Sequence, residues 1–143
     1  MSARAFAVAL IPCSILALTA CGADARPQTS AGQVGRGDPI FQQFAGRAHL
    51  HNCGALALAQ GDRLSVAGRK QVACLTAALE SGGGAELKVQ ARTTEGDPIT
   101  TYYRVTPDRT TEAFIDSAAD AFGPRTWMHT ACNHPRTVLQ VSC

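Results

Sequence analysis

Four cysteines, Cys53, Cys74, Cys132 and Cys143, stand in the C-terminal two-thirds of this 143-residue chain, and their chemistry constrains its fold more than any other feature. In an exported domain an even set of cysteines reads as a disulfide framework, whereas in a reducing compartment it reads as a metal or catalytic site. The compartment therefore has to be settled first, and the N-terminus bears on it. Arg4 supplies a short positive region, and Ala5 to Leu18 form an apolar stretch followed by small residues. That is the layout of a secretory signal. The stretch is shorter than the roughly 20 apolar residues of a membrane-spanning helix, and Pro12 weakens it further as one.

The sequence Leu18-Thr19-Ala20-Cys21 resembles a bacterial lipobox, in which an apolar residue and two small ones precede the cysteine that receives diacylglycerol. The resemblance implies lipidation of the Cys21 sulfur and removal of residues 1–20, Cys13 included. Each buried CH₂ contributes about 0.8 kcal/mol, so two or three acyl chains hold a protein on a membrane where one is marginal. The expected location is extracytoplasmic, attached to the membrane through the N-terminal lipid.

Three pairings of the remaining cysteines are possible. Cys53–Cys74 and Cys132–Cys143 are favoured because each pair is close in sequence and brackets one structural unit. Loops of that size contribute on the order of 3 kcal/mol each in the chain-entropy account. A zinc site competes poorly, since no C-x₂-C spacing occurs, and no cysteine sits in a recognisable nucleophile signature.

Residues 21–46 carry Gly, Pro and polar residues with no apolar period and read as a lipidated N-terminus and flexible tether, with Ile40, Phe41 and Phe44 placed to dock as the chain enters the domain. Residues 47–143 read as one globular domain. Cys53 to Ala59 suits a strand. A helix follows, capped by Ser65, with Val72, Leu75 and Leu79 on one face, and Gly82-Gly83-Gly84 stopping it. From Ala85 the period changes to two: Leu87, Val89 and Ala91 face the core, while Glu86, Lys88, Gln90 and Arg92 face water. Glu95-Gly96-Asp97-Pro98 turns the chain into a second strand, Ile99 to Val105, completing a hairpin. Glu112 to Asp116 adds a third strand, a loop surrounds Asp120, Gly123 and Pro124, Trp127 anchors onto the core, and Val138 to Cys143 makes a final strand. The expected fold is α+β: a two-layer sandwich of one main helix on a small antiparallel sheet, stapled by disulfides.

The second half resembles the DUF4362 family of small Gram-positive lipoproteins, a domain of unknown function. The resemblance lies in Thr93-Thr94-Glu95-Gly96-Asp97-Pro98-Ile99, the pair Tyr102-Tyr103, the stretch from Asp116-Ser117 to Asp120-Ala121-Phe122-Gly123, and Cys132 with Cys143. It implies lipid anchoring, a Cys132–Cys143 bridge and an α+β fold, and it brings no substrate. The Ala-rich Cys53–Leu58 segment and Cys74 depart from the family pattern.

No catalytic constellation stands out. Glu95 and Asp97 flank a turn glycine, where a solvated turn explains them as well as acid–base chemistry does. Asp116 and Asp120 lack a calcium-loop pattern, and His49, His51, His129 and His134 match no metal-ligand spacing. Tyr102, Tyr103, Arg104 and Trp127 are the residue types that dominate recognition patches, and equally the types that pack a sheet. Net charge is +2 with 17% charged residues, so no basic field points to nucleic acid. The leading expectation is a non-enzymatic envelope module without a cofactor, binding an envelope protein or a cell-wall component. The alternatives are an extracytoplasmic hydrolase using Glu95 or Asp97 with a nearby histidine, and a purely structural coat.

Overall fold

The computed structural model describes residues 37–143. The lipobox, Cys21 and most of the segment read as a tether lie outside the described residues. Eight elements follow in order: α1 (Pro39–Ala45), β1 (His51–Ala57), α2 (Leu64–Ala67), α3 (Arg69–Ser81), β2 (Ala85–Arg92), β3 (Pro98–Val105), β4 (Thr111–Asp116) and β5 (Trp127–Cys132). The strands form one mixed sheet in the order β1-β2-β3-β4-β5. The fold is α+β with two disulfides, Cys53–Cys74 and Cys132–Cys143.

The hairpin forms as the alternation requires. Ala85 through Arg92 pair with Val105 through Pro98 without a break, and Gly96 takes the positive φ of 95° that the turn needs. The helix also forms on its apolar period. Leu75 is fully buried, Ala78 joins it, and Val72 and Leu79 pack beside them against Ala85, Leu87, Val89, Val105 and Val138. Gly82 ends α3 in the left-handed conformation, its amide bonded to the Ala78 carbonyl. Burying a leucine as completely as Leu75 or Leu87 stabilises by about 1.5–3 kcal/mol.

Four expectations are corrected. The sheet is not purely antiparallel, because β1 runs parallel to β2. The chain between them contains two helices, and a crossover of that length is what a parallel pair requires. Ser65 is not the cap of the long helix: a short α2 spans it, Arg63 precedes that turn without a side-chain cap bond, and Gly68 separates α2 from α3. The last strand is Trp127–Cys132 rather than Val138–Cys143. Residues 133–143 instead fold back under the sheet, where Val138 is buried, the Thr111 hydroxyl donates to the Gln140 carbonyl, and Cys143 is tied to Cys132. Finally, the tether does not extend to residue 46. Asp38 accepts from the amides of Ile40 and Phe41 at 2.8 and 3.3 Å, Pro39 opens the helix, and α1 lies against the sheet.

The two faces of the sheet are therefore covered differently. One meets α3 and the C-terminal segment. The other meets α1, whose Phe44 ring centroid lies 4.4 Å from Tyr102, 4.7 Å from Trp127 and 5.4 Å from Phe114. Phe41 adds an edge contact to Trp127 at 5.3 Å, so the docking expected of Phe41 and Phe44 is seen. Truncating a fully buried Phe costs about 3–5 kcal/mol, and half-buried Phe44 should cost about 2–3 kcal/mol. Phe44→Ala is accordingly expected to lower the urea midpoint and alter the near-ultraviolet signal of Trp127. An unstructured segment at this position would leave both unchanged.

Candidate functional site

The face beneath α1 carries a row of charges set by strand register. Glu86 on β2, Arg104 on β3 and Glu112 on β4 stand directly opposite one another. An acid–base–acid row across three strands is electrostatically favourable and fixes which face these side chains share. Arg104 is 4% exposed. Its Nε lies 2.9 Å from Glu86 Oε2, one Nη donates to Glu112, and the other donates to the Ala48 carbonyl at 2.7 Å. The far oxygen of Glu112 meets His129 Nε2 at 2.8 Å, and the His129 ring stacks on Phe114.

Arg47 completes the layer from above. It forks onto Glu86 through Nε and one Nη at 2.7 and 2.8 Å, donates the other Nη to the Phe44 carbonyl, and lies 3.5 Å over the Phe44 ring. Asp38 secures the same segment at its start: besides capping α1, it accepts from the Trp127 amide at 2.9 Å and the Thr126 hydroxyl at 3.0 Å.

Beside this layer a cleft of about 290 Å³ opens toward β1, lined by Arg47, His49, Asn52, Glu86, Lys88 and Tyr102 among others. Asn52 lends its side-chain carbonyl to the Gly54 amide at 2.7 Å, within an irregular register between Asn52 and Ala55 where Gly54 has φ 104°. Lys88 is exposed and has no carboxylate partner among the described residues; its nearest aromatic contact is Tyr102, 5.9 Å from Nζ to ring centroid. Two cations thus face the cleft against one carboxylate.

Burial pushes Glu86 up, but the hydrogen bonds from Arg47 and the charges of Arg47 and Arg104 outweigh it, leaving the carboxyl below its ordinary range. Asp38 is also lowered, chiefly by the Trp127 amide, against burial and with help from Thr126 and the helix amides. Burial raises the Tyr102 phenol, with the charge of Asp116 adding to it, so Tyr102 stays a hydrogen-bond donor. Glu86, held by two arginines, is a poor proton acceptor.

Tyr102, Tyr103, Arg104 and Trp127 do not form one exposed patch. Tyr102 borders the cleft, Tyr103 points to the opposite face against the α3 core, and Arg104 and Trp127 are buried under α1. Strand alternation sends Tyr103 away from its neighbours, and α1 covers the rest. Glu86 does not face water as the alternation alone suggests, because Arg47 covers it. Asp97 accepts from the Ala121 amide at 2.8 Å, and Glu95 is exposed in the turn; neither is bonded to a histidine among the described residues. Asp116 and Asp120 cap backbone amides of Ala118, Phe122 and Gly123. His49 lies at the cleft, His51 beside Cys74, His134 in a groove near Arg109, and His129 on Glu112, so the four do not gather. Arg47, Asn52, Lys88 and Glu112 were not singled out in the sequence. Hairpin register could have aligned Glu86 with Arg104, but nothing local marks Arg47.

The lowered carboxyls set a pH dependence. A folded value below the unfolded one means the stabilising contribution is complete above the unfolded value, near 4, and is lost as pH falls through the folded value. Unfolding free energy is therefore expected to be flat from neutrality to about pH 5 and to fall below it. Glu86→Gln should cost about 1–3 kcal/mol at pH 7 and make the acid decline shallower in urea titrations. An unchanged acid slope would show that Glu86 is not linked to folding.

No family model matches the chain, and no curated protein or solved structure matches it either.

Proposed function

We propose that this chain is a lipid-anchored extracytoplasmic module, not an enzyme, that binds an anionic group of a cell-wall component through the cleft beside Arg47, Lys88 and Tyr102. The observation that carries this reading is the charge of the cleft: two cations face it, while its one carboxylate is already held by Arg47 and Arg104. Lys88 supplies an ammonium without a carboxylate partner among the described residues, Asn52 an amide donor, and Tyr102 a phenol that stays protonated. Together they suit a carboxylate or phosphate group. The two disulfides accord with an oxidising compartment outside the cytoplasm.

Anchoring through Cys21 rests on the lipobox resemblance, and the DUF4362 resemblance is part of the same reading. The scaffold is read as a two-layer sandwich in which α3 is the one main helix on the sheet, with α1 strapped across the other face. An envelope protein is the competing partner class, distinguished by which fraction retains the domain.

The chain from residue 22 onward is expected to bind isolated cell-wall polymer saturably, with affinity that falls as salt rises. Lys88→Glu should weaken that binding at least tenfold, because an exposed charge reversal acts on the ligand without touching the core. Equal binding by wild type and Lys88→Glu, or retention by envelope protein alone, would sink the proposal. Mass spectrometry of exported full-length protein tests the anchor separately, through a diacyl adduct on Cys21.

A further inference from the structure

Away from the cleft, β1 and α3 bring a third type of chemistry together. His51 and Cys53 are two apart on β1, so both project toward the α3 side of the sheet, and Cys74 comes from the first half of α3. One ring nitrogen of His51 and the sulfurs of Cys53 and Cys74 all lie within 4.8 Å of one another. His51 and Cys74 border an open groove of about 460 Å³ that also includes Ala77, Ser81 and Gly84. Cys53 and Cys74 are both half-buried, whereas the other bridge joins a buried Cys132 to an exposed Cys143. Cys53–Cys74 is accessible on both sulfurs' residues and has an imidazole beside it.

We infer that reduction of Cys53–Cys74 turns this corner into a binding site for a thiophilic cation such as Zn²⁺, ligated by the two sulfurs and His51. A dithiol reductant supplies the electrons. Its two S–H bonds give way to its own disulfide, the Cys53–Cys74 S–S bond breaks, and each sulfur takes up one proton. Cation binding then releases both protons to solvent. Two thiolates and a neutral imidazole around a divalent cation leave the shell with no net charge.

The ligand types suit Zn²⁺, which takes thiolate and imidazole in tetrahedral sites. Tetrahedral Zn²⁺ places such donors about 3.5–3.8 Å apart. The sulfurs move apart once their bond is broken, and exposed His51 closes in by side-chain rotation. The scaffold keeps the donors near one another without the bridge: β1 is laddered to β2, and Leu75 and Ala78 hold α3 on the same sheet. Three protein donors leave the fourth position open to water from the groove. The cation then joins β1 to α3 where the disulfide did, which makes the site a redox-controlled exchange of one staple for another. This inference does not depend on what the cleft binds.

The test uses the chain from residue 22, in which these four are the only cysteines. It is reduced with a phosphine, desalted without air, and titrated with Zn²⁺ against a chromophoric chelator. Co²⁺ is used in parallel to report thiolate charge-transfer and tetrahedral bands. Reduced wild type is expected to bind one Zn²⁺ at least a hundredfold tighter than its oxidised form or Cys53→Ser/Cys74→Ser. His51→Ala, which keeps every thiol, should bind at least tenfold more weakly than wild type. Zn²⁺ should also raise the thermal midpoint of reduced wild type more than that of His51→Ala. Equal affinity of wild type and His51→Ala, binding by the oxidised chain, or a thermal midpoint of the reduced chain that Zn²⁺ does not raise would each overturn the inference.

Discussion

Arg104 is a permanent cation at the middle of a five-stranded sheet, and much of the molecule is arranged around the cost of keeping it there. Removing a guanidinium from water costs several kcal/mol unless charge and hydrogen bonds replace the lost hydration. Glu86 and Glu112 supply the charge from the strands on either side, and the Ala48 carbonyl supplies an acceptor from outside the sheet. That last bond fixes residues 47–48 over the sheet face. Once they are there, Arg47 reaches Glu86, Phe44 falls onto Tyr102, Phe114 and Trp127, and the chain must begin its approach at Asp38. A single buried cation thereby sets the position of α1 and of one wall of the cleft.

The opposite face of the sheet works by different means. Leu75, Leu87, Val89 and Val105 exclude water there by apolar contact, and Val138 closes the layer from the C-terminal segment. Shape is enough on that side, because apolar burial is roughly proportional to area and indifferent to orientation. The disulfides sit at its margins, joining β1 to α3 and β5 to the C-terminal segment. The cross-links lie with the aliphatic layer, whereas the α1 face combines aromatic burial with the directional contacts of the arginine layer.

That division explains what could be read from the sequence. Alternation from Ala85 to Val105 and the 3.6-residue spacing of Val72, Leu75 and Leu79 are local signals of area burial, and the elements they specify formed. Proximity along the chain likewise paired the cysteines. The parallel pairing of β1 with β2 depends on where a crossover lands, which no window of residues contains. The polar face was harder to read for a related reason. Glu86 looks solvated because its covering residue, Arg47, is thirty-nine positions away. Asp38-Pro39 was a legible helix start, obscured by the glycines and prolines that precede it. At the other end, Val138, Leu139 and Val141 are apolar enough for a strand, but Val138 and Leu139 serve as a plug, while the weaker alternation of Trp127 to Cys132 gains its pairing from β4.

The same division bears on which changes the cleft tolerates. Lys88, His49 and Asn52 belong to it without holding the fold: none is buried, and none forms an ion pair among the described residues. Arg47, Glu86 and Tyr102 belong both to the cleft and to the layer that seats α1. Substitutions at the first set act on whatever the cleft accommodates, whereas substitutions at the second also loosen the segment that forms its wall. Specificity in a site of this construction is adjusted most freely along the β1 rim, where the irregular register at Asn52–Ala55 already relaxes the demands of strand pairing. The arginine layer behind it is the rigid reference against which such adjustments take effect, because each of its charges is fixed by partners on more than one element.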